Sequence, residues 1–205
     1  MLLIALKGFF LSAGLIVAIG PQNAFVLRQG LKKHHVFACA MLASLYDATL
    51  ILFGISGFGL VLDRFPALIT IVLWAGVAFL TVYGARSFLR ALRPDVLEVN
   101  NTVTPDSLIK TLAILSGLTL LNPHVYLDTI FLQGSIAASF QGIERAAFGL
   151  GAMSASFVWF FGLGYGARLL RPLFTKAKAW QILDIIIGCV MWAIAAGLVV
   201  DGLSH

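Results

Sequence analysis

Apolar residues run along this chain in long unbroken blocks, and six stand out, at roughly residues 2–26, 36–62, 66–89, 108–133, 143–170 and 180–203. They lack the alternation of a surface strand and the one-sided stripe of a surface helix. Each exceeds the roughly 20 residues that an α-helix needs to cross a bilayer, with some surplus for tilt. The pattern predicts an all-α, polytopic membrane protein of six transmembrane helices.

Two of the blocks are interrupted. Ile19-Gly20-Pro21-Gln22-Asn23 breaks the first with a proline flanked by amides, and Leu121-Asn122-Pro123-His124-Val125-Tyr126-Leu127-Asp128 breaks the fourth. Proline removes a backbone donor, clashes with the preceding turn and disfavours helix at the residue before it. A carbonyl stranded in hydrocarbon must find protein, water or substrate, and an Asp placed there costs about 2.5 to 3.5 kcal/mol on insertion scales. Asn23 to Gly30 should follow the first break as a short helical continuation.

The two halves echo each other. Pro123 answers Pro21 at an offset of 102, Phe161-Gly162 answers Phe53-Gly54 at 108, and Gly164-Tyr165-Gly166 answers Gly57-Phe58-Gly59 at 107. The glycine-dense stretches read as surfaces for close helix approach. A single transporter domain over 1–205 follows, with repeat one at 1–90, a Pro- and Asn-rich linker at 91–107 and repeat two at 108–205. Three spans is an odd number, so the second repeat enters the membrane from the opposite side. The expected architecture is two inverted-topology repeats of three, with proline-broken helices 1 and 4 meeting near the centre.

Composition agrees: 60% of the 205 residues are hydrophobic and 11% charged, too little polar surface to cover a soluble globule of this size. The formal charge of +5 invites a nucleic-acid partner, but its distribution follows topology instead. Eleven of the 14 Lys and Arg fall in the odd-numbered connections: Arg28, Lys32, Lys33; Arg86, Arg90, Arg93, Lys110; Arg168, Arg171, Lys176, Lys178. The positive-inside rule then places those connections in the cytoplasm and both termini outside, with Lys7 weakening the bias at the N-terminus. No cleaved signal peptide is expected, because Gly20-Pro21-Gln22-Asn23 continues into apolar residues. Arg86 and Arg90 should snorkel to the cytoplasmic surface, and the turn Asp63-Arg64-Phe65-Pro66 should join the second and third spans.

The candidate chemistry lies where the spans are polar. Asp47, about 10 residues into the second span, should sit near the midplane. Pro21, Gln22, Asn23, Asp47, Asn122, Pro123, His124, Tyr126 and Asp128 are expected to face a central cavity. Its carbonyls, amide oxygens and two carboxylates suit a cation, and backbone donors at a half-helix N-terminus suit a carboxylate. A basic amino acid uses both, and the same acids could carry protons. Asp184, near the start of the sixth span, is expected to pair with Lys176 or Lys178 at the interface. Cys39 and Cys189 read as small buried hydrophobes. Lys32-Lys33-His34-His35 reads as an anchor, not a metal site, and no cofactor is implied. Two other classes deserve weight. A metal-ion exporter could use Asp47, Cys39, His124 and Asp128, although neither the Cys nor the His lies in a ligand-spaced cluster. Gly54-Ile55-Ser56-Gly57 resembles the nucleophile motif of rhomboid intramembrane proteases, but the repeat has Gly162-Leu163-Gly164 where serine would be needed.

Four stretches together carry a family resemblance: Gly20-Pro21-Gln22-Asn23-Ala24-Phe25-Val26, Asn122-Pro123-His124-Val125-Tyr126-Leu127-Asp128, Ser154-Ala155-Ser156-Phe157-Val158-Trp159-Phe160-Phe161-Gly162 and Gly188-Cys189-Val190-Met191-Trp192. The chain resembles the lysine/arginine exporter (LysE) family over nearly its whole length, most closely the arginine-exporting branch. The resemblance implies a non-enzymatic bacterial inner-membrane exporter that moves L-arginine, L-lysine or analogues such as canavanine outward, driven by the proton or membrane potential and acting as a homodimer. The family also includes exporters of neutral amino acids. Pro21, Asn23, Asp47, Asn122, Pro123 and Asp128 match its polar, proline-broken motifs.

Overall fold

The computed structural model describes residues 1–17, 20–57, 66–92 and 107–203, and all regular structure among them is helical. Ile19, Phe58-Gly59, the turn residues Asp63-Arg64-Phe65 and most of the linker, 93–106, lie outside the described residues. In chain order the helices are α1 (Leu2–Ile16), α2 (Pro21–Lys32), α3 (Val36–Ile55), α4 (Pro66–Leu92), α5 (Leu108–Leu120), α6 (Pro123–Ala137), α7 (Gly142–Gly166) and α8 (Ala177–Leu203). A 3-10 stretch, Ala167–Thr175, carries α7 towards α8.

Three helical stretches, Val36–Ile55, Gly142–Leu170 and Ala177–Val200, are long and apolar enough to cross a membrane. Counting each bent pair, α1 with α2 and α5 with α6, as one span brings the number to five among the described residues. The distribution of side chains is that of a protein dissolved in lipid. Phe10, Ile71, Leu89, Val158 and Ile186 are exposed, while Gln22, Asn23, Asp47, Gln133, Ser156 and Asp184 are buried. Hydrocarbon outside makes exposed apolar surface harmless and drives polar groups inward to find partners.

At both breaks proline starts a new helix instead of kinking an old one. Pro21 and Pro123 each occupy the first turn, where the missing N–H would be unsatisfied anyway and φ is already helical. The residues before them, Gly20 (φ −100°, ψ 176°) and Asn122 (φ −100°, ψ 105°), are extended, as a residue preceding proline must be. The chain turns by 83° between α1 and α2 and by 65° between α5 and α6. Asn23 to Gly30 are helical after the break, as expected, and the break sets their helix at a steep angle: α2 is a 12-residue helix lying nearly across α1 and buried along most of its length.

Close packing rests on glycine at particular crossings. α1 lies against α7, where a Cβ on Gly8 would stand 2.1 Å from the Phe148 carbonyl oxygen and one on Gly151 1.9 Å from that of Ala5. α3 meets α6 at Gly54, whose added Cβ would lie 2.6 Å from the Thr129 carbonyl oxygen and 2.9 Å from Ile130 Cα. That crossing coincides with a π-helical stretch, Leu127–Leu132, in which the chain widens by one residue per turn. Gly54 leaves room for the wider turn. Gly54→Ala is expected to lower the stability of the protein by about 1 to 3 kcal/mol through overpacking against backbone. Thermal unfolding of the purified protein in detergent checks this, and an unchanged midpoint would refute the close-approach account.

The matching expectation for Phe161-Gly162 is not met. Nothing lies within 4 Å of a Cβ built on Gly162, and the close approach falls two residues later, where Gly164 receives Gly30 and Val36. Cys39 is buried as expected, whereas Cys189 is exposed on the outer face of α8. An apolar membrane surround accepts it there.

Candidate functional site

The two helix starts converge. α2 and α6 present their first turns to one cavity of about 300 Å³, to which α3 contributes Asp47 and α7 Phe160. Leu15, Ile16, Gly20, Pro21, Gln22 and Asn23 line it from the first break, and Asn122, His124, Val125, Asp128, Thr129 and Gln133 from the second, with Ile194 of α8 completing the wall. Its lining thus mixes polar groups at the interrupted helices with apolar side chains.

Each polar group is held differently. The Trp159 indole N–H donates to Asn23 Oδ1 at 3.1 Å, and Asn23 Nδ2 in turn donates to the Ile16 carbonyl at the end of α1. Asn23 therefore ties the first break to α7 and satisfies a carbonyl that the break strands. The second break is closed locally. Asn122 Oδ1 accepts from the His124 N–H at 3.2 Å as the cap of α6, and the Tyr126 hydroxyl donates to the Leu120 carbonyl at 2.6 Å. α4 crosses directly over it: a Cβ on Gly76 would stand 2.0 Å from the Leu121 carbonyl oxygen.

Asp47 is only 4% exposed. The Ser156 hydroxyl donates to its Oδ2 at 3.3 Å, and Gln22 lies beside the same carboxylate, its Nε2 buried short of a formed hydrogen bond. A carboxylate with so few donors is poorly compensated, and its remaining lone pairs are open to a cation. Asp128 of α6 is half-buried in the same lining, with His124 nearby. Two acids from different helices thus border one cavity, where low dielectric strengthens their attraction for positive charge.

Of the residues expected here, Pro21, Gln22, Asn23, Asp47, Asn122, His124 and Asp128 line the cavity. Pro123 and Tyr126 do not; the ring of Pro123 faces Gly76 on α4, and Tyr126 points back to α5. Gln133, Thr129 and Ser156 are the polar residues that reading the sequence overlooked. Thr129 and Gln133 lie in and just after the π-helical stretch, which no periodicity rule anticipates, and Ser156 lies on α7 within an otherwise apolar block. Ser156 alone left a trace, as part of the Ser154-Ala155-Ser156 motif.

A second buried polar cluster lies away from the cavity. Asp184 on α8 binds Arg28 of α2 and, at 3.2 Å, Arg90 Nε of α4. Arg90 also donates to Ser87 Oγ at 2.7 Å and lies over the Tyr83 ring, while Arg28 lies near the Trp180 ring. The expected pairing of Asp184 with Lys176 or Lys178 is corrected, and Arg90, whose side chain is 34% exposed, also meets Asp184. Asp184 is 3% exposed, and a buried carboxylate takes the partners that the packed helices bring to it.

Comparison with known proteins adds independent information. No solved structure matches this chain. The arginine exporter protein ArgO of Escherichia coli (strain K12) is 40% identical over 199 residues, covering 97% of this chain and 94% of the relative. Those of Shigella flexneri and Salmonella enteritidis PT4 are 39% and 40% identical over the same shares. A family model described as LysE type translocator matches residues 13–202. A match over nearly the whole length, through both helix breaks and both acids of the cavity, makes the chain a member of the LysE family of translocators.

Proposed function

We propose that this protein is a secondary active exporter of basic amino acids, L-arginine first and L-lysine or analogues such as canavanine after it, in a bacterial inner membrane. The observation that carries the reading is the cavity bordered by Asp47, Asp128 and the first turns of two proline-started helices. An amino acid brings a carboxylate that suits free N–H groups and a helix dipole, and an ammonium that suits a carboxylate. A basic one brings a second cation for the second acid. The relatives' shared name, arginine exporter, agrees with this chemistry. No step of it requires covalent catalysis, so the protein acts as a carrier and not an enzyme.

Alternating access fits the same architecture. α4 packs along α8 and α3 along α7, each pair joining equivalent elements of the two halves, while α2 against α7 mirrors α6 against α3. This scheme supports two inverted repeats of three spans, 1–90 and 108–205, rocking about the cavity, with α4 as the third span of the first repeat. The Lys and Arg bias supports cytoplasmic odd-numbered connections and outward termini. Protons carried by Asp47 or Asp128, or the membrane potential acting on a cationic substrate, supply the driving force. The exposed apolar faces leave room for a homodimer in the bilayer.

The test is counterflow of radiolabelled arginine in proteoliposomes, competed by lysine, neutral amino acids and divalent metal ions. Exchange blocked by basic amino acids alone supports the reading; exchange blocked equally by neutral amino acids or by metals overturns it. In the same assay Asp128→Asn is expected to reduce the preference for arginine over a neutral amino acid about tenfold, the scale of one charge-assisted hydrogen bond. Unchanged selectivity would count against Asp128 as a cation contact.

A further inference from the structure

Gln133 is the most deeply placed polar residue of the cavity wall, fully buried at 0% exposure. Its Nε2 reaches Ser12 Oγ on α1 at 3.5 Å, while its Oε1 is buried with no hydrogen-bond partner among the described residues. A buried carbonyl oxygen without a donor is costly, and where its residue lines a cavity a ligand that brings an N–H to it removes that cost. Five residues before it stands Asp128. On a regular α-helix the two would point about 140° apart. The π-helical stretch changes that, because the Gln133 N–H bonds to the Asp128 carbonyl, five residues back, so the chain completes one wide turn between them. Both then border the same cavity.

We infer that Gln133 is a specificity-determining residue, its Oε1 accepting from the guanidinium of a bound arginine whose other N–H groups face the Asp128 carboxylate. This rests on the export reading above and deepens it. A guanidinium is a planar fork of five donors that can bridge two acceptors on one wall; a lysine ammonium is a compact point charge with three. The second acceptor thus favours arginine over lysine. Asp47 and Gln22, which border the same cavity, meet the α-ammonium and α-carboxylate. The π-turn, held open by Gly54, is what aligns the pair.

The experiment is counterflow in proteoliposomes with wild-type protein, Gln133→Leu and Gln133→Met, read as the ratio of half-saturating concentrations for arginine and lysine, with citrulline as the uncharged mimic of arginine. Both substitutions remove the acceptor; methionine keeps the unbranched shape if leucine disturbs insertion. The expected result is a loss of arginine preference by about tenfold with lysine exchange retained, which also shows that the variant is folded. Gln133→Glu, which keeps an acceptor and adds charge, should retain the preference. An unchanged arginine-to-lysine ratio in an active variant, or equal loss for arginine, lysine and citrulline in both the leucine and methionine proteins, overturns the assignment. Absence of arginine exchange by the wild-type protein instead overturns the export reading itself, so the two failures are distinguishable.

Discussion

Asp47→Asn is expected to abolish arginine efflux while leaving the protein inserted at its normal level. Asparagine has nearly the same shape, and its carbonyl can still accept from Ser156, so the packing of α3 against α7 survives. What disappears is the negative charge on one side of the cavity. A charge-assisted hydrogen bond contributes roughly 1.5 to 3 kcal/mol, so substrate affinity alone should fall by one to two orders of magnitude. If the same carboxylate carries the coupling proton, turnover stops altogether. Efflux of preloaded radiolabelled arginine from cells, normalised to the amount of protein in the membrane, measures this. Efflux at the wild-type rate from the Asp47→Asn protein would remove Asp47 from the mechanism. Because Gln22 and Ser156 are the neighbours of that carboxylate, Asp47→Glu is a useful companion: it keeps the charge but moves it by one methylene.

The second large effect is on stability. Asp184 holds two arginines from two other helices, so Asp184→Asn leaves Arg28 and Arg90 facing each other with no counter-charge, and Arg28 has little access to solvent. Breaking a buried ion pair by removing one member costs about 3 to 5 kcal/mol, mostly through the charge left behind. A marked drop in unfolding temperature in detergent, with reduced protein in the membrane, is the expected outcome. Replacing all three with apolar residues, Arg28→Met, Asp184→Leu and Arg90→Leu together, should restore much of the loss, because no unpaired charge then remains. Equal stability of Asp184→Asn and wild-type protein would show that water reaches the cluster freely. The cluster matters for function as well, since it fastens α2, the helix begun at the first break, to the α4 and α8 pair.

Reading the residues one at a time found the cavity's main contributors because lipid leaves polar groups few excuses. Proline, asparagine and aspartate inside an apolar block must be satisfied by something, and seven of the nine residues picked out this way border one cavity. Tyr126 and Pro123 were misjudged because the direction of a side chain near a helix start depends on local geometry. Tyr126 turns back to the Leu120 carbonyl that the break exposes, and Pro123 is covered by the close passage of Gly76. Asp184 was misjudged for another reason. Its nearest cations in sequence are Lys176 and Lys178, yet its partners lie 94 and 156 positions away, and only helix packing brings them together.

By itself the amino-acid sequence determined that the chain is helical, that it belongs in a bilayer and that it is interrupted at two prolines, since each follows from short-range chemistry: apolar run length, a missing N–H and the steric demands of the pyrrolidine ring. Tertiary structure alone decided that α2 lies across α1, that the two breaks share one cavity, and that Gln133 stands with Asp128 on its wall. Those outcomes depend on where one helix leaves room for another, as Gly54 does for the widened turn of α6, and such room belongs to pairs of helices and not to any single stretch of chain.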